Sequence, residues 1–318
     1  MKIKIVIVLG PTAVGKSELA LELAQSVDGE IVNADSQQVY RYMDIGTGKP
    51  SRGDRERVRH HLIDIVNPDD EFNAALYRRL ATESIEQIQK RGKNVVVCGG
   101  TGLYLKALTH GLFVGPGQDS EMRRNLDLEI DKKGLAATYQ RLIEIDPTVV
   151  SSIHPNDRQR IIRALEVFHC TGKPLSLWQR EHAFQDERFE VLKIGLLRGR
   201  AELYDLINQR GEQMVRDGLL DEVRGLVSRG FALALKPLRS VGYRQMGEVI
   251  QGAKDLDIAI EEMKQETRRL AKRQLTWFRR DAEIRWYHPE NGQGEIVAAV
   301  QEFLGGGSVT VNERRQRT

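Results

Sequence analysis

One octapeptide constrains this chain more than any other stretch of it. Gly10-Pro11-Thr12-Ala13-Val14-Gly15-Lys16-Ser17 fits the pattern G-x-x-x-x-G-K-[ST]. It stands between the apolar run Ile3 to Leu9 and a segment, 15–26, with Leu19, Leu23 and Val27 at helical spacing. Buried strand, glycine-bearing loop and helix must therefore follow one another. In that geometry backbone N–H groups turn inward around phosphate oxygens, and the helix N-terminus adds partial positive charge. Lys16 supplies a full charge, and the Ser17 hydroxyl is suited to ligate Mg²⁺. The expected phosphate-binding set is Gly10, Pro11, Thr12, Ala13, Val14, Gly15, Lys16 and Ser17. The loop does not specify the ligand.

The pattern around the loop predicts an α/β fold, a P-loop core with a doubly wound parallel sheet. Glu30 to Asp35 reads as a second strand, 73–90 as a helix, and Asn94 to Cys98 as a third strand stopped by Gly99-Gly100-Thr101-Gly102. After His110 the alternation ends. Gly111 to Gly117 reads as a joint, followed by helices over 120–133, 135–145 and 156–171, the last stopped by Gly172. Strand character returns at Val191 to Leu197, and helices follow from 201. The expected organisation is core 1–112, an all-helical insertion 113–190, and core again over 191–318. A chain of 318 residues has room for both.

Several classes are excluded. No stretch approaches the ~18 apolar residues of a membrane span. The first apolar run is followed by Gly10-Pro11-Thr12 and not by a small-residue cleavage site. Two cysteines, Cys98 and Cys170, cannot build a disulfide framework or a four-ligand zinc site. His60-His61 lacks metal-ligand spacing and reads as structural, and Cys98 as a buried small hydrophobe. A cytoplasmic protein is expected.

A nucleotide hydrolase places a carboxylate at the end of another apolar strand. The Val95–Cys98 strand instead ends in glycines and Thr101, a second turn facing the same crevice. Asp35 is the carboxylate at a strand's carboxyl end, beside Ser36-Gln37-Gln38. It reads either as a helix cap or as a group that binds metal or accepts a proton. The net charge is only +3, but its distribution is uneven. Basic residues gather at Arg158, Arg160 and Arg163, at Arg268 to Arg280, and in the tail Arg314-Arg315-Gln316-Arg317 after Gly305-Gly306-Gly307, which reads as a frayed terminus. Arg158, Arg160 and Arg163 are either a salt-bridged helix face or contacts for an RNA backbone. Met263, Leu270 and Trp277 recur every seven residues and predict a buried helix face, with Arg268, Lys272 and Arg279 on another.

GPTAVGKS, NADSQQVYRYMDIGTGKP at 33–50, HHLIDIVNP at 60–68, GGTGLYLKAL at 99–108, HPNDRQRIIRALEVFHCTGKP at 154–174 and SVGYRQM at 240–246 resemble, in order, the tRNA dimethylallyltransferase (tRNA isopentenyltransferase, MiaA) family. The resemblance implies transfer of a dimethylallyl group from dimethylallyl diphosphate to N6 of the adenosine just 3′ of the anticodon. It implies Asp35 as base, with Lys16 and Thr101 in the catalytic set, Thr12 and Thr101 on the departing oxygen, and Mg²⁺ as cofactor. Arg210 matches the family's diphosphate-binding arginine; a solvated helix face is its alternative. Contacts to the tRNA anticodon stem-loop are implied for Asp35, Ser36, Gln37, Gln38, Thr101, Arg123 and Gln159, Arg160, Ile161, Ile162 and Arg163. Segment 239–244 would add a stacking aromatic, Tyr243, and two phosphate contacts, Arg239 and Arg244. A monomer without membrane attachment is expected. Eukaryotic members carry a C-terminal zinc finger; no cysteine follows residue 285 here, and the bacterial type is expected. Rival readings are a small-molecule P-loop kinase, an adenylate isopentenyltransferase, and an RNA-binding module with a vestigial P-loop. None of the enzyme rivals explains the 154–174 block.

Overall fold

The computed structural model describes residues 2–111, 117, 119–182 and 188–305. The chain divides into two compact units, Met1–Thr109 with Arg188–Thr318, and His110–Glu187. The arginine tail and most of the 111–117 joint lie outside the described residues.

In the first unit the strands are β1 (Ile3–Leu9), β2 (Gly29–Asn33), β3 (His60–His61), β4 (Asn94–Gly99), β5 (Phe189–Leu196) and β6 (Arg285–Tyr287). They form one sheet, ordered β3-β2-β4-β1-β5-β6, with every pairing parallel. The insertion ends earlier than the expected residue 190. Phe189 and Glu190 already pair with Ile3 and Lys4, so the core resumes there. β1 explains why its sequence shows no polar alternation: Ile5, Ile7 and Leu9 enter one core, while Val6 and Val8 enter the other. A strand buried on both faces has no side on which polar residues are tolerated.

The helices that follow are α1 (Lys16–Ser26), α2 (Arg52–Arg57), α3 (Ala74–Lys90) and α4 (Gly102–His110), and, after the insertion, α10 (Arg200–Arg216), α11 (Leu219–Ser228), α12 (Tyr243–Ile250), α13 (Leu256–Phe278) and α14 (Gln293–Gly305). Leu19 and Leu23 of α1, Leu203 and Ile207 of α10, and Ile296 and Val300 of α14 cover one sheet face. Tyr77 and Ile85 of α3, Tyr104 of α4, Leu219 of α11 and Met263 of α13 belong to the core on the other. The loops after β1, β2 and β4 therefore emerge side by side at the carboxyl edge, where parallel α/β sheets place their ligands.

The heptad reading of α13 needs correction. Met263 is buried and Leu270 half-buried, but Trp277 is 38% exposed and Phe278 takes the core position. A straight helix turns once per 3.6 residues, so a seven-residue recurrence drifts by about 20° per repeat.

The second unit packs α5 (Ser120–Lys133), α6 (Leu135–Ile145), α7 (Pro147–Val150), α8 (Arg158–Thr171) and α9 (Leu175–His182) around Leu126, Ile130, Leu142, Ile161, Leu165 and Leu175. Three of the five starts are chemically marked: Asp119, Asp146 and Asp157 accept backbone N–H groups at the beginnings of α5, α7 and α8. Among the described residues no helix is long and apolar enough to cross a membrane.

Candidate active site

The P-loop closes in a way only a glycine permits at its first position. Gly10 has φ +147°, and a Cβ there would stand 2.8 Å from the Leu196 carbonyl oxygen. Ala13 adopts φ 64°, a conformation a non-glycine residue holds only when its surroundings impose it. No side chain caps the N-terminus of α1, so its first N–H groups are left to an anion. Lys16 Nζ donates to the Pro11 carbonyl oxygen at 2.6 Å. Burial lowers its pKa to about 8; Cys98 and Asp35 oppose that shift and Arg210 adds to it. The ammonium is thus half lost near pH 8, and binding an anionic diphosphate restores it. Affinity for a diphosphate should fall as pH rises above 8, approaching about tenfold per pH unit. Titration calorimetry in buffers of different ionisation enthalpy should register the proton taken up. Binding that stays constant from pH 7 to 10 would exclude Lys16 as the anion's partner.

Asp35 leaves β2 on a turn that it stabilises itself. Its Oδ1 accepts the N–H groups of Gln37 at 2.8 Å and Gln38 at 3.4 Å. Capping and chemistry are therefore compatible: one oxygen holds the turn, and the other carries no hydrogen bond among the described residues. Thr101 fastens the same turn to the second glycine loop. Its Oγ1 accepts from Ser36 N–H at 3.0 Å, and its own N–H donates to Ala34 at 3.2 Å. Gln37 and Gln38 part company. Gln38 is buried, and its Nε2 donates to the carbonyls of Thr47 and Gly48 at 3.2 and 3.1 Å, so this nitrogen serves the fold and not base reading. Gln37 Oε1 is buried without a hydrogen-bond partner.

Asp35 and Gln37 line a crevice of about 120 Å³. Thr12, Asp35, Gln37 and Arg210 supply its polar wall, and Ile207, Met214, Val241, Met263 and Leu270 an apolar one. Arg210 projects from α10, and its Nη1 donates to Thr12 Oγ1 at 3.4 Å. The alternative of a solvated helix face does not hold for it. Burial draws its pKa down, with Asp35 opposing.

Gln274 was not legible in the sequence. Its Oε1 accepts from Thr12 N–H at 2.9 Å and its Nε2 donates to Gly100 at 3.0 Å, tying the two glycine loops together from α13. The usable signal was spacing: Met263, Thr267, Leu270 and Gln274 follow i, i+4, i+7, i+11, and all four line the crevice. The loop 46–48 was read only as part of a family block.

The expected tRNA contacts fare unevenly. Tyr243 is fully buried and its hydroxyl donates to Glu222 Oε1 at 2.5 Å, so it cannot stack on a base. Its neighbour Arg244 is exposed and pairs with Glu248 at 3.3 Å. Ile161 and Ile162 face the core of the helical unit, as their apolar side chains require. Arg123 and Arg163 both serve Glu166, a carboxylate with 0% exposure. Arg123 donates through Nε and Nη2 at 2.9 and 3.0 Å, and Arg163 through Nη1 at 2.6 Å. Burial would raise the Glu166 pKa, but these bonds and the Asp119 N–H hold it below its ordinary value. Arg158 is bound to Asp127 and Asp131, which is the salt-bridged reading. Gln159 and Arg160 are exposed, and Arg160 meets only Asp157, at 3.3 Å. In the core, Lys272, Arg273, Arg279 and Arg280 are exposed on α13 and just beyond it. His61 pairs with Glu30 at 2.6 Å and His60 with the Val58 carbonyl at 2.8 Å, both structural.

The sequence pattern of the IPP transferase family matches residues 38–281. The chain belongs to this family. The match begins after the P-loop and takes in Gln38, Thr101, Arg210 and Gln274, so the crevice falls largely within it. The chain is 51% identical over 298 residues to the tRNA dimethylallyltransferase of Syntrophobacter fumaroxidans, covering 94% of this chain and 87% of that one. It is 49% identical to that of Geobacter metallireducens, covering 95% and 98%. Among solved structures, the tRNA isopentenylpyrophosphate transferase of Bacillus halodurans superposes with a TM-score of 0.71 at 38% identity, covering 95% and 97%. A eukaryotic dimethylallyltransferase acting on tRNA gives 0.78 at 26% identity, covering 98% and 81%.

Proposed function

We propose that this enzyme transfers a dimethylallyl group from dimethylallyl diphosphate to N6 of the adenosine on the 3′ side of the tRNA anticodon, releasing diphosphate. The observation that carries the reading is the single crevice at the P-loop that joins a carboxylate, a buried arginine and an apolar wall. The reaction needs all three. As the allylic C–O bond breaks, negative charge grows on the departing diphosphate. The α1 N–H groups, Lys16, Arg210 and the hydroxyls of Thr12 and Thr101 are the donors suited to it. Positive charge grows on the prenyl group, for which Met263, Leu270 and Met214 offer a dry, polarizable surface. The free oxygen of Asp35 accepts the proton that N6 loses as its bond to carbon forms.

Mg²⁺ fits the donor set. Ser17 is exposed on the first turn of α1, and the described residues hold no group of three His, Cys, Asp or Glu side chains able to cage a metal. Such a cation would be held by the Ser17 hydroxyl and chiefly by diphosphate oxygens, neutralising the leaving group. The enzyme acts as a cytoplasmic monomer, with the target base turned out of its stack to reach the crevice.

Incubation with tRNA, dimethylallyl diphosphate and Mg²⁺, followed by mass spectrometry of the nucleosides, should yield N6-dimethylallyladenosine. Transfer to AMP but not to tRNA would favour the adenylate-modifying alternative. Among Arg158, Arg160 and Arg163, Arg160 is the one exposed and held only by its own cap residue, Asp157. Arg160→Ala should therefore weaken tRNA binding and reduce the log–log salt slope by about 0.7–0.9. An unchanged slope in a folded variant would remove it from the interface.

A further inference from the structure

Glu222, on α11, lies outside the crevice lining, and no chemistry requires it there. Yet its carboxylate gathers four donors. Oε2 accepts the N–H groups of Asp44 at 2.8 Å and Ile45 at 2.7 Å, and Oε1 accepts Gly46 N–H at 3.2 Å and the Tyr243 hydroxyl at 2.5 Å. Three consecutive backbone N–H groups turned to one anion form a concave nest, whose shape the anion maintains. The carboxylate thus sets the path of a loop some 180 residues away in sequence.

The loop carries this constraint to the reacting groups. Gly46 lies against the Tyr243 ring, where an added Cβ would stand 2.5 Å from a ring carbon. Gly46 and Thr47 line the crevice, and the carbonyls of Thr47 and Gly48 hold Gln38 Nε2. The Arg210 guanidinium lies across Gly48 so closely that a Cβ there would come within 1.8 Å of Nη2. Buried Lys49 closes the base of the loop through the Tyr40 carbonyl, Asp44 and Asp64. Among the described residues, Gly46 to Gly48 thus link Glu222 to Arg210.

We propose that Glu222, with Tyr243, is a positioning residue that fixes the 44–48 loop and thereby holds Arg210 where it meets the departing diphosphate. This inference rests on the prenyl-transfer reading above. Glu222→Gln keeps the size but turns an amide NH₂ toward N–H donors. Its kcat/KM for dimethylallyl diphosphate should fall about 10–100-fold, the scale of a displaced binding group. The tRNA Kd should stay within about twofold, because the substitution removes no cation that could contact a phosphate. In an Arg210→Ala background the same substitution should cost less than about twofold more, since the group it positions is gone. Tyr243→Phe, which removes one donor and preserves the ring, should show a smaller loss with the same dependence on Arg210. It also serves as the test variant if Glu222→Gln does not fold.

Additive losses in the two backgrounds would overturn the proposal, as would wild-type kcat/KM in either variant. Equal loss of tRNA and diphosphate binding with a lowered Tm would reduce Glu222 to a purely structural role and overturn it as well. Failure of the wild-type enzyme to prenylate tRNA in the parallel assay would refute the functional reading instead, so the two failures remain distinct.

Discussion

Asp35→Asn is expected to lower turnover by about a hundredfold or more while leaving tRNA affinity and Tm near their wild-type values. The substitution is chosen for what it preserves. Oδ1 of an asparagine still accepts the Gln37 and Gln38 N–H groups, so the turn after β2 keeps its shape. What disappears is the basic oxygen. An exocyclic adenine amine is a weak nucleophile whose lone pair belongs to the ring, and it becomes reactive only as its proton departs. An amide oxygen cannot take that proton at neutral pH. Single-turnover transfer with saturating tRNA and dimethylallyl diphosphate measures the step directly. Turnover close to wild type would remove Asp35 from the chemistry and leave it as a turn residue.

Glu166→Ala should unfold the helical unit at markedly lower denaturant concentration. The carboxylate has no solvent exposure, and two arginines and the Asp119 N–H converge on it. Deleting one partner of a fully buried pair costs about 3–5 kcal/mol, because the other charges stay behind unpaired. Arg123 and Arg163 retain 33% and 32% of their side-chain exposure, which relieves part of that cost. A loss near the lower end, about 3 kcal/mol, is expected. The sign with pH follows from the depressed pKa of the folded carboxyl: the contribution is present above the unfolded value of 4.5 and is lost as pH falls through the folded one. Chemical denaturation of the full chain with Trp277→Phe and Trp286→Phe in both backgrounds, so that fluorescence reports Trp178 in the helical unit, checks it. An unchanged midpoint would show that the arginines are not engaged in solution and would return them to the list of free RNA contacts.

That test bears on a general difficulty in reading arginines. Arg158, Arg160 and Arg163 are equivalent in the sequence, three cations within two turns of one helix. The fold separates them by the acids it brings from elsewhere. Asp127 and Asp131 of α5 take Arg158, Glu166 takes Arg163, and Arg160 is left with its own cap residue. Only the last is a good candidate for a salt-dependent phosphate contact.

The sequence by itself determined the features that local chemistry dictates. The Gly10–Ser17 loop needs left-handed and unhindered backbone, the apolar runs need burial on both faces, and the Gly172 boundary follows from helix capping, whereas the start expected at 156 falls two residues later, after the Asp157 cap. Those constraints act over a few residues and leave a signature over the same few residues. The carboxylate proposed to react, Asp35, was visible for the same reason, as the acid at a strand's end. Everything that depends on distant partners was decided by tertiary structure. Tyr243 looks like a surface aromatic until α11 places Glu222 against its hydroxyl. Gln274 looks like any polar helix residue until the parallel sheet brings Thr12 and Gly100 to its two amide atoms. A side chain's hydrogen-bond capacity is fixed by its type, but which donor or acceptor it meets is fixed by contacts such as that between Thr12 and Gln274, 262 positions apart, and no local pattern encodes those.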